Sequence, residues 1–148
     1  MLTVLYAGEP EFRQTYETAL SGAFHQTGIT ARLVALDEVA PDTVDYIIFA
    51  PTGPLGDFSP YTRARAVLSL WAGVERIVGN PTLRQPLCRM VDAGLERGMI
   101  EWVTGHVLRY HLNIDGWIAR QDGVWRVDQP APLASERRVT MLGLGVLG

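Results

Sequence analysis

Lysine is missing from these 148 residues; all 13 basic side chains are arginine. A lysine nucleophile or Schiff base is therefore excluded within them, and a GC-rich coding sequence explains the bias. Cysteine is nearly missing too. Cys88 stands alone, so there is no disulfide framework and no thiolate metal cluster, and it is expected as an inert core residue. There is no basic excess: a net charge of −3, from 13 basic and 16 acidic residues, gives no electrostatic ground for nucleic acid or an anionic membrane as partner. No apolar run approaches a membrane span. The start, Met1-Leu2-Thr3-Val4-Leu5-Tyr6, lacks a basic segment and soon meets Glu9, Pro10 and Glu11, unlike a secretory signal. A soluble cytoplasmic protein is the expectation.

What is present is a hydrophobic fraction of 47%, enough at this length for a real core. Leu2 to Tyr6 reads as a buried first strand ending at Ala7-Gly8. Pro10 opens a helix through about Ala23, with Phe12, Tyr16, Ala19, Leu20 and Phe24 near helical spacing. Ile29 to Leu36 alternates as a second strand. Asp45-Tyr46-Ile47-Ile48-Phe49-Ala50 gives a third, almost wholly apolar as strands buried on both faces are. Ala66 to Trp71 is a fourth, turning at Ala72-Gly73 into a short helix from Val74 to Val78, and Pro86 to Met90 is a fifth. The pattern is α/β, with a parallel sheet covered by helices. Pro51 to Pro60 holds three prolines and two glycines and forms a loop at a strand end, where open α/β sheets collect ligands.

A helix then runs from Gly94 or Leu95 to about Leu112, and Asn113 to Val127 reads as helix and loop carrying Trp117 and Trp125. Each tryptophan alone fits core packing; as a pair they also suit a covered interface. The apolar run Arg138-Val139-Thr140-Met141-Leu142 leads into Gly143-Leu144-Gly145-Val146-Leu147-Gly148, a G-x-G-x-x-G after a predicted strand. In such a turn the first glycine permits the tight bend, the second the approach of a pyrophosphate, and the third close packing of helix on strand. The helix that would follow, and the residue that chooses between NAD and NADP, lie beyond these residues, so the isolated chain is expected to be inactive.

The order of these parts resembles the D-isomer-specific 2-hydroxyacid dehydrogenases, within them the glyoxylate/hydroxypyruvate reductase A type, in which a flavodoxin-like substrate domain precedes the glycine motif. Four segments carry the resemblance. Leu68-Ser69-Leu70-Trp71-Ala72-Gly73-Val74-Glu75-Arg76-Ile77 is similar to the family's strand, glycine turn and helix; Gly98-Met99-Ile100-Glu101-Trp102 to the start of its interdomain helix. Arg120-Gln121-x-x-x-Trp125 resembles the arm that follows, and Val139 to Gly148 the strand and fingerprint. The resemblance implies that backbone N–H groups of Trp71, Ala72, Gly73 and Val74 hold a substrate carboxylate. By the same resemblance Met99 and Gly143, Leu144, Gly145, Val146, Leu147 and Gly148 meet the cofactor. An ordinary βα turn and a plain core methionine are the alternatives at the first two places.

The resemblance further implies a substrate domain over residues 1–98, an interdomain helix and dimerisation arm over 99–136, and the start of a Rossmann domain over 137–148. It implies a homodimer, NAD(P)H as cofactor, and hydride transfer to a small 2-oxo acid or from a 2-hydroxy acid. The family's catalytic arginine, carboxylate and histidine fall downstream, and no metal is used. His25, His106 and His111 do not substitute for them, and Asp92, Asp115 and Glu136 are not paired into a site. One departure concerns the pocket: Phe49-Ala50-Pro51 stands where the subgroup has a tryptophan or another bulky residue. Two other readings remain open: a non-catalytic flavodoxin-like module that binds an anion or dimerises, and another two-domain NAD enzyme resembling formate or alanine dehydrogenases.

Overall fold

The computed structural model describes residues 1–127 and 131–145. The chain forms two compact units, Met1–Val91 and the segment from Asp92 onward.

The first unit is a five-stranded sheet of β1 (Leu2–Ala7), β2 (Ala31–Val34), β3 (Tyr46–Phe49), β4 (Ala66–Ser69) and β5 (Leu87–Cys88), in the order β2-β1-β3-β4-β5. Every pairing is parallel, with Val4 beside Tyr46, Tyr46 beside Ala66 and Val67 beside Leu87. This is the flavodoxin-like strand order, and the α/β reading of the sequence holds. Alternate side chains of each strand serve opposite faces. Val4, Tyr6 and Ile48 meet Tyr16, Leu20 and Phe24 of helix α1 (Arg13–Thr27). Leu5, Ala7, Ile47, Phe49 and Val67 meet Val44, Phe58, Tyr61 and Ile77 on the other side.

Helix α1 covers the first face as expected, while on the second face the first unit's own cover comes from loops. Residues 74–78, read as a short helix, form only turns. Three of the five are β-branched, which disfavours helix, and Gly79, at φ 88°, breaks the run at once. Helix α1 is also displaced from its expected span. Pro10 opens a 3-10 turn (Pro10–Phe12), and the α-helix ends where Gly28 takes the left-handed conformation, φ 68°, as its cap. Cys88 is exposed, against the expectation of a core residue. It sits on a two-residue edge strand paired only with β4, and the alternation that turns Leu87 inward turns Cys88 outward.

At the N-terminal end of β3, Asp45 is buried yet charged. Its carboxylate accepts from the Thr3 N–H at 2.9 Å and from Arg63 Nε at 3.1 Å, joining the start of β1 to the entrance of β4. The Thr3 amide, helped by Arg63, holds the Asp45 carboxyl below its ordinary value of 3.8. A carboxylate whose folded value is depressed stabilises the fold above its ordinary value and loses that contribution as pH falls through the folded one. Asp45→Asn should therefore lower the urea midpoint at neutral pH, with the gap to wild type closing from about pH 4 downward. Parallel pH curves for the two proteins would contradict this assignment.

The second unit carries α2 (Ala93–His111), capped by the Asp92 carboxylate on the Leu95 N–H at 2.8 Å, and α3 (Ile114–Ala119). Asn113, at φ 52°, makes the bend between them. Arg109 Nε bonds the Asp115 carboxylate at 2.9 and 3.0 Å, tying the two helices together. Past a 3-10 turn at Ala134–Glu136, residues 137–145 form no ladder among the described residues. The strand expected at 138–142 is thus not formed. A strand needs a neighbour for its backbone groups, and Val139, Met141 and Leu142 lie exposed with none beside them. No helix among the described residues is long and apolar enough to cross a membrane.

Candidate functional site

The C-terminal ends of β1, β3 and β4 define the edge at which a parallel sheet receives ligands. Across β1 and β3 the edge is filled by the chain itself. The Ala50 N–H bonds the Ala7 carbonyl at 3.3 Å, the Gly53 N–H bonds the Ala50 carbonyl at 2.9 Å, and Thr52 donates to the Glu9 carboxylate. Gly53 approaches so closely that a Cβ there would lie 2.2 Å from the Ala7 oxygen and 3.0 Å from the Gly8 Cα. That contact is backbone against backbone, so glycine is required. Farther along the loop, Phe58 enters the core edge-on to Phe49, ring centroids 5.4 Å apart. The expected proline-rich loop is therefore anchored at both ends.

Beyond β4 the arrangement is more open. Trp71, Ala72, Gly73 and Val74 follow the strand after Leu70, and the turn is held down by Val74 packing on the core and by the buried Ile77, whose N–H bonds the Val74 carbonyl at 3.0 Å. The N–H groups of Ala72, Gly73 and Val74 donate to no other group among the described residues. Trp71 is half exposed, with the Arg76 guanidinium 5.9 Å from its ring. The Glu75 carboxylate lies over Gly73, 2.7 Å from where a Cβ would stand. Consecutive free N–H groups beside an arginine can receive a small anion without a buried cation. Ser69, which the sequence reading passed over, is buried at the end of β4. Its Oγ accepts from the Trp71 N–H at 3.2 Å and donates to the Trp71 carbonyl at 3.1 Å.

The remaining predicted site residues belong to the second unit. Met99 is half-buried on α2 and lines a shallow groove with Gly94, Leu95, Gly98 and Trp102. Gly143 has φ 94°, a conformation that glycine adopts freely, and a side chain at Gly143 or Gly145 would meet open space. The residues present thus fit the opening bend of a phosphate-binding turn. Val146, Leu147 and Gly148 lie outside the described residues. Trp117 and Trp125 line one open concavity together with Arg120, whose guanidinium stacks 4.6 Å from the Trp117 ring. Arg126 holds the Asp122 carboxyl down to about 2, bracing that bend.

The groups set aside in the sequence have structural tasks. Asp92 caps α2, Asp115 pairs with Arg109, and Glu136 accepts from the Leu133 N–H at 2.8 Å. The His106 ring lies against Trp102, centroids 4.2 Å apart. No cluster of three metal-ligating side chains occurs among the described residues.

No family model matches the chain, and no curated protein is significantly similar to it. Solved structures are. A D-isomer-specific 2-hydroxyacid dehydrogenase from Xanthobacter autotrophicus, in complex with NADPH and MES, matches 98% of the chain at 29% identity and a TM-score of 0.78. A probable 2-hydroxyacid dehydrogenase from Rhizobium etli, with NADP, HEPES and L(+)-tartaric acid, matches 99% at 25% identity and a TM-score of 0.80. An NADPH-dependent glyoxylate/hydroxypyruvate reductase from Sinorhizobium meliloti, with NADP and sulfate, matches 100% at 29% identity and a TM-score of 0.71. The chain covers 48%, 46% and 47% of those proteins, about half of each. In fold and in sequence this chain is therefore similar, along nearly its whole length, to about half of several 2-hydroxyacid dehydrogenases, a glyoxylate/hydroxypyruvate reductase among them.

Proposed function

We propose that the chain is part of a cytoplasmic NAD(P)-dependent 2-hydroxyacid dehydrogenase that reduces a small 2-oxo acid such as glyoxylate or hydroxypyruvate. The observation that carries this reading is the match of 98–100% of the chain to three such proteins, each complexed with NADP or NADPH. The open turn after β4 and the positive φ of Gly143 agree with it. In this reading residues 1–98 are the substrate domain, 99–136 an interdomain helix and dimerisation arm, and 137–148 the entrance to a dinucleotide-binding domain. When bound, the nicotinamide cofactor supplies the hydride that reduces the 2-oxo carbon. The N–H groups of Ala72, Gly73 and Val74 face the substrate carboxylate; that of Trp71, expected from the sequence to join them, is committed to the Ser69 hydroxyl instead. Gly143, Leu144 and Gly145, with Val146, Leu147 and Gly148 after them, hold the pyrophosphate, and Met99 contacts the nicotinamide. The exposed Trp117 and Trp125 are covered by a second subunit in a homodimer.

The carboxylate and carbonyl must also be gripped by a cation and the alkoxide protonated by a general acid; in this reading those groups lie outside these 148 residues, and the isolated chain is inactive. The test compares the product of the complete reading frame with the 148-residue chain. The expected product has about twice the 16.3 kDa of these residues and oxidises NADPH or NADH with glyoxylate, hydroxypyruvate or pyruvate, while the short chain stays at background. A complete product that oxidises neither cofactor with any small 2-oxo acid would falsify the dehydrogenase reading. The non-catalytic anion-binding module would then be the surviving account.

A further inference from the structure

The geometry points to Ser69 as a positioning residue: its buried hydroxyl fixes the Trp71 peptide so that the N–H groups of Ala72, Gly73 and Val74 face outward together to receive a carboxylate. This inference rests on the anion-binding role proposed for that turn.

Three observations lead to it. Ser69 is 5% exposed, and its Oγ uses both hydrogen-bonding capacities on one residue, accepting from the Trp71 N–H and donating to the Trp71 carbonyl. The same carbonyl accepts from the Met90 N–H at 3.3 Å, so it is fixed from β4 and from the segment after β5. In a planar trans peptide the C=O of one residue and the N–H of the next point in opposite directions. A Trp71 carbonyl turned toward Ser69 and Met90 therefore sends the Ala72 N–H away from them.

Without the hydroxyl, the Trp71 N–H becomes a fourth free donor and its carbonyl keeps one tether. The first peptide of the turn can then rotate, and the Ala72 N–H loses its fixed outward direction. A hydroxyl is suited to this task because it donates and accepts at once. Alanine does neither, and cysteine does both only weakly. The side chain itself never meets the ligand; it acts through the Trp71 backbone.

The test is an NMR titration of the complete reading frame's product, free of cofactor, with pyruvate, using pyruvamide as the uncharged control. In the wild type the Ala72, Gly73 and Val74 amide signals should move saturably with pyruvate and stay still with pyruvamide. Ser69→Ala should weaken pyruvate binding about tenfold, of the order expected for one hydrogen bond to a charged group, and Ser69→Thr should stay within about threefold of wild type. Unchanged Val67 and Leu68 amide signals show that β4 is intact. Should the alanine variant not fold, Ser69→Cys keeps the volume and should show the same loss. A Ser69→Ala or Ser69→Cys chain that binds pyruvate as wild type does overturns the positioning role and leaves the turn's role standing. A wild-type chain whose three amides ignore pyruvate, or respond equally to pyruvamide, overturns both.

Discussion

Phe58→Ala should destabilise the first unit by about 3–5 kcal/mol, the cost of emptying a fully buried aromatic site. Phe58 is only 1% exposed, stacks edge-on to Phe49, and closes a sheet face that the first unit covers with loops rather than with a helix. A helix-covered face could relax by shifting the helix bodily, but here the cover is a loop whose position depends on the side chain being removed. Its N–H bonds the Thr82 Oγ at 2.9 Å and its carbonyl faces Gln85, so the segment leading to β5 moves with it. Total stability of a domain is about 5–15 kcal/mol, so the variant should be marginal at room temperature. Urea unfolding followed by tryptophan fluorescence reads the effect, with Phe58→Leu as the partial replacement that recovers most of it. A loss below about 1 kcal/mol, the level of a surface change, would mean that the loop is not part of the core.

Gly53→Ala should be nearly as damaging for the opposite reason, excess rather than deficit. Added atoms in a tightly packed site cost about 1–3 kcal/mol, and here the obstacle is the Ala7 carbonyl at 2.2 Å, which belongs to the central strand and cannot swing aside as a side chain can. The loop must lift, which breaks the Gly53 N–H bond to Ala50 and separates Thr52 from Glu9. Gly56→Ala, three residues on, is the control, since a Cβ there meets nothing within 4 Å. Equal midpoints for the two variants would remove the close approach from the account.

The parts of the fold that were legible in the sequence are those governed by local pattern. Strands buried on both faces show nearly unbroken apolar runs, so Leu2–Ala7, interrupted only by Thr3, and Tyr46–Phe49 stand out without any knowledge of their partners. The glycine turn after Ser69 was visible from residue types and order alone. What stayed hidden depends on residues far apart in the chain. Nothing near Asp45 announces that Thr3, 42 positions away, and Arg63, 18 positions away, complete its shell. Ser69 reads as one more small strand residue until its hydroxyl is seen on Trp71. Local pattern also misled: Val74 to Val78 has helical-looking spacing but no room for a second turn before Gly79. The run at 138–142 has the residues of a strand, and no partner beside it among the described residues.

The close approach of Gly53 to β1 has a consequence for which ligands this sheet can host. In a doubly wound sheet with this strand order, the chain passes to one side of β1 and then the other, leaving a crevice between the ends of β1 and β3 that in flavodoxin itself takes the flavin phosphate and ring. Here the backbone of residues 50–53 lies in that crevice, bonded to Ala7 and latched by Thr52 to Glu9. The architecture of a flavin carrier is kept while its berth is sealed, and the donors left unpaired among the described residues stand one strand over, on the peptide groups of Ala72, Gly73 and Val74 after β4.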